Sequence, residues 1–126
     1  MSEREPVIRM KYLPLPLLAE GELYLGGFVD EHGELTHTIL LPGDNDESSW
    51  LAQMEWAKSI GGDLPTRVEL ALAYAKHRDQ FDRNWYWSNG EEGYSWAWYQ
   101  TFNGGSQYCG PQYSQFRARA VRRLSI

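Results

Sequence analysis

Two aromatic strings in the last third of the chain restrict its fold most: WYWS (85–88) and SWAWYQTF (95–102), which place four of the six tryptophans within fourteen residues. Asn89-Gly90-Glu91-Glu92-Gly93 separates the two strings, Asn103-Gly104-Gly105 follows the second, and the sequence then runs into FRARAVRRL (116–124). Aromatic runs punctuated by Asn-Gly and Gly-Gly are the pattern of short antiparallel strands. The first break is expected to be a hairpin connection and FRARAVRRL a single terminal strand. Each indole buries a large area, so four of them can nucleate the core of a small domain. A compact C-terminal sheet is expected, with the earlier elements packed onto it. Alternation along SWAWYQTF puts Trp96, Trp98 and Phe102 on one face and Tyr99 and Thr101 on the other.

At 126 residues the chain has the length of one domain with a real core. Residues 1–21 are expected to form an extended N-terminal arm, because Pro6, Pro14 and Pro16 disfavour helix and central strand there. Leu13, Leu15, Leu17 and Leu18 on that arm either pack on the domain or form a homodimer contact. Residues 22–47 hold a hairpin: ELYLGGFV and ELTHTILL flank a turn at Asp30-Glu31-His32-Gly33, and Pro42-Gly43-Asp44 ends the second strand. Residues 48–126 hold the rest of the fold. A helix starts at Ser48 or Ser49, buries Trp50, Met54 and Ala57 with Leu51 and Ile60 beside them, and stops at Gly61-Gly62. A second helix starts at Thr66, where Thr66 and Glu69 form a capping box, and presents Val68, Ala71, Leu72 and Ala75 as its apolar stripe. A charged connector, 78–84, leads into WYWS. Hairpin, two helices, then several strands make an α+β domain.

Charge and chemistry exclude several classes. The net charge is −5, every acidic residue lies at or before Glu92, and Arg117, Arg119, Arg122 and Arg123 are the only charges beyond it. An acidic body argues against nonspecific nucleic-acid binding, and the four arginines are expected to pair with body carboxylates. No apolar run reaches the roughly 20 residues of a membrane span, and no signal peptide is seen. A single cysteine, Cys109, excludes an internal disulfide and permits a reducing cytoplasm. His32, His37 and His77 lack ligand spacing, and no nucleophile motif surrounds Cys109. Asp44, Asp46 and Ser48 alternate as in a calcium loop, with Glu55 in the closing position. Ser49 stands where the sharp-turn glycine is needed, so helix capping is the better reading and no cofactor is expected.

One stretch has the composition of a recognition surface. Between Tyr94 and Phe116 lie Tyr94, Tyr99, Tyr108 and Tyr113, then Gln100, Gln107, Gln112 and Gln115, with glycines, serines and no charge. Tyrosine gives a large contact area at low entropy cost, and small polar residues give adaptable hydrogen bonds. Tyr94, Tyr99, Gln100, Gln107, Tyr108, Gln112 and Tyr113 are therefore the candidate partner-binding residues. The alternative is that these tyrosines complete an aromatic core.

The ordered set GGDLPTRVEL, YWS, SWAWYQTF and RARAVRR resembles the Lcl C-terminal-domain family, C-type-lectin-like domains common in bacteria and phages, over roughly residues 49–124. The helix-then-aromatic-strand order is also similar to phage receptor-binding and retroelement-diversified proteins and to formylglycine-generating enzymes. The resemblance implies a C-type-lectin-like fold, two helices flanking a twisted, largely antiparallel sheet, but no particular reaction. The paired cysteines and the Glu-Pro-Asn or Gln-Pro-Asp motif of sugar-binding members are missing, as is the cysteine pair that holds copper in the formylglycine-generating enzymes. With the missing catalytic motifs and the Tyr- and Gln-rich stretch, the resemblance leads to the expectation of a non-enzymatic phage or prophage protein in the host cytoplasm that binds a protein partner, for example to inhibit a host defence system. A virion-associated receptor-binding module for a surface glycan or protein is the alternative.

Overall fold

A computed structural model describes residues 14–126. Pro6 and Leu13 of the expected arm lie outside the described residues; Leu15, Leu17 and Leu18, within them, are exposed. The architecture is α+β: two helices and two sheets of mostly antiparallel strands.

The hairpin is present as β1 (Leu23–Val29) and β2 (Leu35–Leu40). Its turn forms as the sequence suggests: Asp30 accepts the His32 and Glu34 amides on its carboxylate, and Gly33 takes a left-handed φ of 82°. β3 (Asn45–Ser48) is a short strand that the sequence did not announce. Next come α1 (Trp50–Ser59), α2 (Arg67–His77) and a 3-10 turn, Arg78–Gln80. The aromatic strings become β4 (Trp85–Glu92) and β5 (Trp96–Thr101), followed by β6 (Gln107–Pro111), β7 (Phe116–Ala118) and β8 (Val121–Ser125). One sheet has the order β1-β2-β8, the other β3-β7-β4-β5-β6, and among the described strands only β4 and β7 run parallel.

Both helices begin where the sequence places them. Ser49 caps α1 through the Ala52 amide, and Thr66 caps α2 with the reciprocal Glu69 bond in place. Their buried faces differ from the expected ones. On α2, Val68, Ala71 and Ala75 are exposed and Leu72 is half-buried, whereas Glu69, Leu70 and Ala73 are buried. Glu69 turns inward because it also meets Thr38 and Arg123, and this rotates the helix away from its apolar stripe. On α1, Trp50 and Ala57 are buried and Met54 half-buried, but Leu51 and Ile60 are exposed. The third buried position is Gln53.

Two further expectations are corrected. Asn89 and Gly90 form no turn: β4 runs through them, with a bulge between Trp87 and Glu91. The turn falls at residues 93–95. Asn89 is claimed by tertiary partners, its amide donating to the Pro65 carbonyl and its side chain to Asp63. FRARAVRRL is not one strand either. β7 joins the five-stranded sheet and β8 the three-stranded one, with Arg119 and Ala120 making the crossing. The Arg119 guanidinium is buried there and donates to the Leu41 and Gln80 carbonyls.

The core has two centres. Leu25, Leu40, Leu70, Phe81, Tyr86 and Phe102 lead the first, with the Phe81 and Phe102 rings stacked 4.1 Å apart. Trp50, Leu64, Trp87 and four alanines anchor the second. Both buried indoles are satisfied: Trp50 Nε1 donates to the Ser88 carbonyl and Trp87 Nε1 to the Ser48 carbonyl. The other arginines pair with acids as expected: Arg117 with Asp44 and Asp46, Arg122 with Glu22, and Arg123 with Asp63 and Glu69. Among the described residues no helix is long and apolar enough to cross a membrane.

Candidate functional site

The seven candidate residues separate into three groups, at one end of the five-stranded sheet and on its two faces. The end group is Tyr94, Gln112 and Tyr113. The tight β4–β5 turn forces Ser95 to a φ of 73°, a left-handed conformation unusual for a residue with a Cβ. Gln112 holds this turn from the β6–β7 loop. Its amide donates to the Ser95 carbonyl at 2.9 Å, and its side chain reaches the Trp96 carbonyl at 3.0 Å and Glu91 at 3.1 Å. The Gln112 carbonyl in turn accepts from the Trp50 amide at the start of α1. Two loops and a helix terminus are thereby fixed to one another. Tyr94 is 93% exposed and Tyr113 80%, with Leu51 of α1 also exposed beside them. A recess of ≈ 330 Å³ beside Tyr113 is lined by Ser49, Leu51, Ser95, Gln112 and Tyr113.

Tyr99 and Tyr108 belong to a sheet face. They sit opposite each other in the β5–β6 ladder with ring centroids 6.0 Å apart. Tyr99 is half-buried and packs against Phe116 at 4.4 Å and, stacked, against Trp85 at 5.4 Å. Gly110 makes room for it, since a Cβ there would stand 3.1 Å from the Tyr99 ring. Burial, then the neighbouring Tyr108 and Cys109, push the Tyr99 hydroxyl above its ordinary pKa. Tyr99 is therefore the base of an aromatic cluster whose outer members, Trp85 and Tyr108, are about half exposed. Trp85 was missing from the expected surface. Its signal lay in the WYW alternation, which puts Trp85 and Trp87 on one face and leaves the one nearer the strand end less covered.

Gln100 and Gln107 lie on the opposite face, and here the expectation is corrected. Gln100 is fully buried. Its side chain donates to the Leu70 carbonyl and accepts from Gln107, which also donates to the Arg67 carbonyl and accepts from Arg67 Nε. These amides fasten the first turn of α2 to β5 and β6, so Gln100 offers nothing to a partner. The Arg67 guanidinium lies 3.5 Å over the Trp98 ring, and Trp98 Nε1 donates to Glu92. An open recess of ≈ 390 Å³ remains, lined by Arg67, Val68, Ala71, Gln100, Gly105 and Gln107.

The groups with reactive side chains are scattered. Cys109 is half-buried on β6, and its thiol is pushed up by burial and by Glu92, against the opposing pull of Arg67. His37 is buried in the three-stranded sheet and bonded to the Tyr24 hydroxyl at 2.7 Å, while His32 is exposed in the first turn. His77 ends α2. Asp44 is engaged by Arg117 and by the Tyr86 hydroxyl at 2.6 Å, and that hydroxyl is pushed up by burial and then by the Asp44 bond. Asp46 shares Arg117, and Glu55 projects from α1 into solvent. Neither a general acid–base pair nor a thiol–imidazole pair is assembled among these groups. A comparison with protein-family models matches none of them, and a comparison with curated proteins finds no match.

Proposed function

We propose that this chain is a non-enzymatic binding domain of C-type-lectin-like fold that recognises a protein partner with the loops at the end of its five-stranded sheet. The observation that carries this reading is the pinned pair of loops: Tyr94 and Tyr113 stand almost wholly in solvent on backbone that Gln112 ties down. Rigid aromatic anchors beside a recess concentrate binding energy because little entropy is lost when they are covered. The raised Cys109 thiol argues only against Cys109 as a nucleophile, since the thiolate is the attacking form. Two helices with mostly antiparallel sheets and late aromatic strands support the fold assignment. The resemblance to prophage proteins makes a bacterial host protein the expected partner. The half-exposed Trp85 stacked on Tyr99 favours a second reading, a receptor-binding module for a surface glycan.

The test is a scan of Tyr94→Ala and Tyr113→Ala with partner capture from host lysate and stability measured in parallel. Each change should weaken capture by at least ~2 kcal/mol, while stability stays within about ±0.5 kcal/mol, as for exposed positions. Loss of stability together with capture, or loss of neither, would remove the loops from the binding surface.

A further inference from the structure

Among the described residues the five-stranded sheet ends on β6, and β6 differs from the other edge strands. β1 is broken by a register shift between Tyr24 and Gly26; β3 is irregular and carries Asp46 and Glu47; β8 carries Arg122 and Arg123. Bulges and charges of this kind are how edge strands avoid unwanted pairing. β6, with the sequence QYCGP, has no charged residue, and its register with β5 is unbroken over all five positions. The Thr101 amide bonds to the Ser106 carbonyl and the Gln112 amide to the Ser95 carbonyl, bracketing the β5–β6 ladder. Hydrogen-bonded and non-bonded pairs alternate along an antiparallel ladder. Tyr108 and Gly110 therefore turn their backbone groups to β5, and Gln107 and Cys109 turn theirs outward. Among the described residues these outward N–H and C=O groups have no partner.

We propose that β6 is a docking edge where an extended segment of a partner protein adds as a further strand. The inference rests on the reading of the domain as a protein binder but uses a different surface. Main-chain bonds to Gln107 and Cys109 supply affinity, and alternate side chains supply specificity. On one face the segment meets the exposed ring of Tyr108, which calls for an aromatic or aliphatic residue. On the other, near Gln107, it meets Arg67 and the recess floored by Val68 and Ala71, which calls for an acidic side chain. A second copy of β6 fits worse: it contains no acid, and its Pro111 has no N–H to give.

The test selects a phage-displayed random peptide library on the immobilised full chain and measures the enriched peptides against variants by fluorescence anisotropy. Cys109→Pro removes one outward amide and spares the bonds to β5. It should weaken binding by at least about tenfold, and Cys109→Ser, which restores the N–H, should recover it. Lys58→Ala, exposed on α1, is the unaffected control. If Cys109→Pro lowers the melting temperature, peptides N-methylated at alternate amides make the same test on the unaltered protein. Selected sequences should alternate apolar and polar residues, with an acid on the polar side. Failure to enrich any peptide, or peptides indifferent to both changes, would overturn the proposal. So would concentration-dependent exchange protection of the Gln107 and Cys109 amides without peptide, which would mean self-pairing. The loop reading stands or falls on Tyr94 and Tyr113 in partner capture, so the two fail separately.

Discussion

Glu69 is 4% exposed and divides its two oxygens among the Thr66 amide, the Thr38 hydroxyl and the Arg123 guanidinium. Burial pushes its carboxyl up, but the Arg123 bond, followed by the Thr66 amide, outweighs it, and the carboxyl is held below its ordinary 4.5. A depressed folded-state pKa gives stability that is complete above the unfolded value and is lost as pH falls through the folded one. Urea denaturation at successive pH values below 4.5 should therefore show wild type losing stability more steeply than Glu69→Gln, which has nothing to protonate there. Parallel curves would mean that another carboxylate governs the acid limb. Thr66→Ala tests the other half of the motif and should cost about 1 kcal/mol in the same assay. The tryptophans should divide by burial, not by position in the sequence. Trp87→Ala empties a fully enclosed site and should cost about 3–5 kcal/mol, and Trp98→Ala, half-buried beneath Arg67, distinctly less.

At the scale of elements, α1 depends on a buried amide. Gln53 is fully buried, accepts from Asn45 and donates to the Asp46 and Phe116 carbonyls, so one side chain ties the helix to β3 and β7. Gln53→Leu keeps most of the volume but leaves those groups unpaired, and a loss of about 1–3 kcal/mol is expected on chemical denaturation. No loss would mean that water replaces the amide. The first hairpin, both helix caps and the aromatic strands were legible because each is encoded within a few adjacent residues. Gln53 and the burial of Glu69 were not, because their partners lie far along the chain and a polar residue reads as a solvated one. Asn89-Gly90 misled for the same reason: a good local turn signal yielded to Pro65 and Asp63. Composition singled out Tyr94 and Tyr113, and both are exposed. Composition carries no information about which face a strand residue takes, which is why it picked out the buried Gln100 and passed over the half-exposed Trp85.

At the scale of the whole molecule, one short segment completes both sheets. β7 lies between β3 and β4, and β8 pairs with β2, so residues 116–125 hold partners that precede them by much of the chain. Such long-range pairing must be reached before it is rewarded, which predicts slow, single-step folding and little stable substructure in fragments. Deleting residues 119–126 should leave a protein that is protease-sensitive throughout; a protected fragment would show that one sheet stands alone. The same arrangement bears on how the polypeptide is made. While residues 116–125 are still inside the ribosome, β3 has emerged without its partner, and β2 and β4 each lack one of their two neighbours. Neither sheet can be completed until residues 116–125 have left the ribosome. Stalled nascent chains of increasing length should therefore gain protease resistance abruptly, once Ser125 has cleared the exit tunnel, and not in stages.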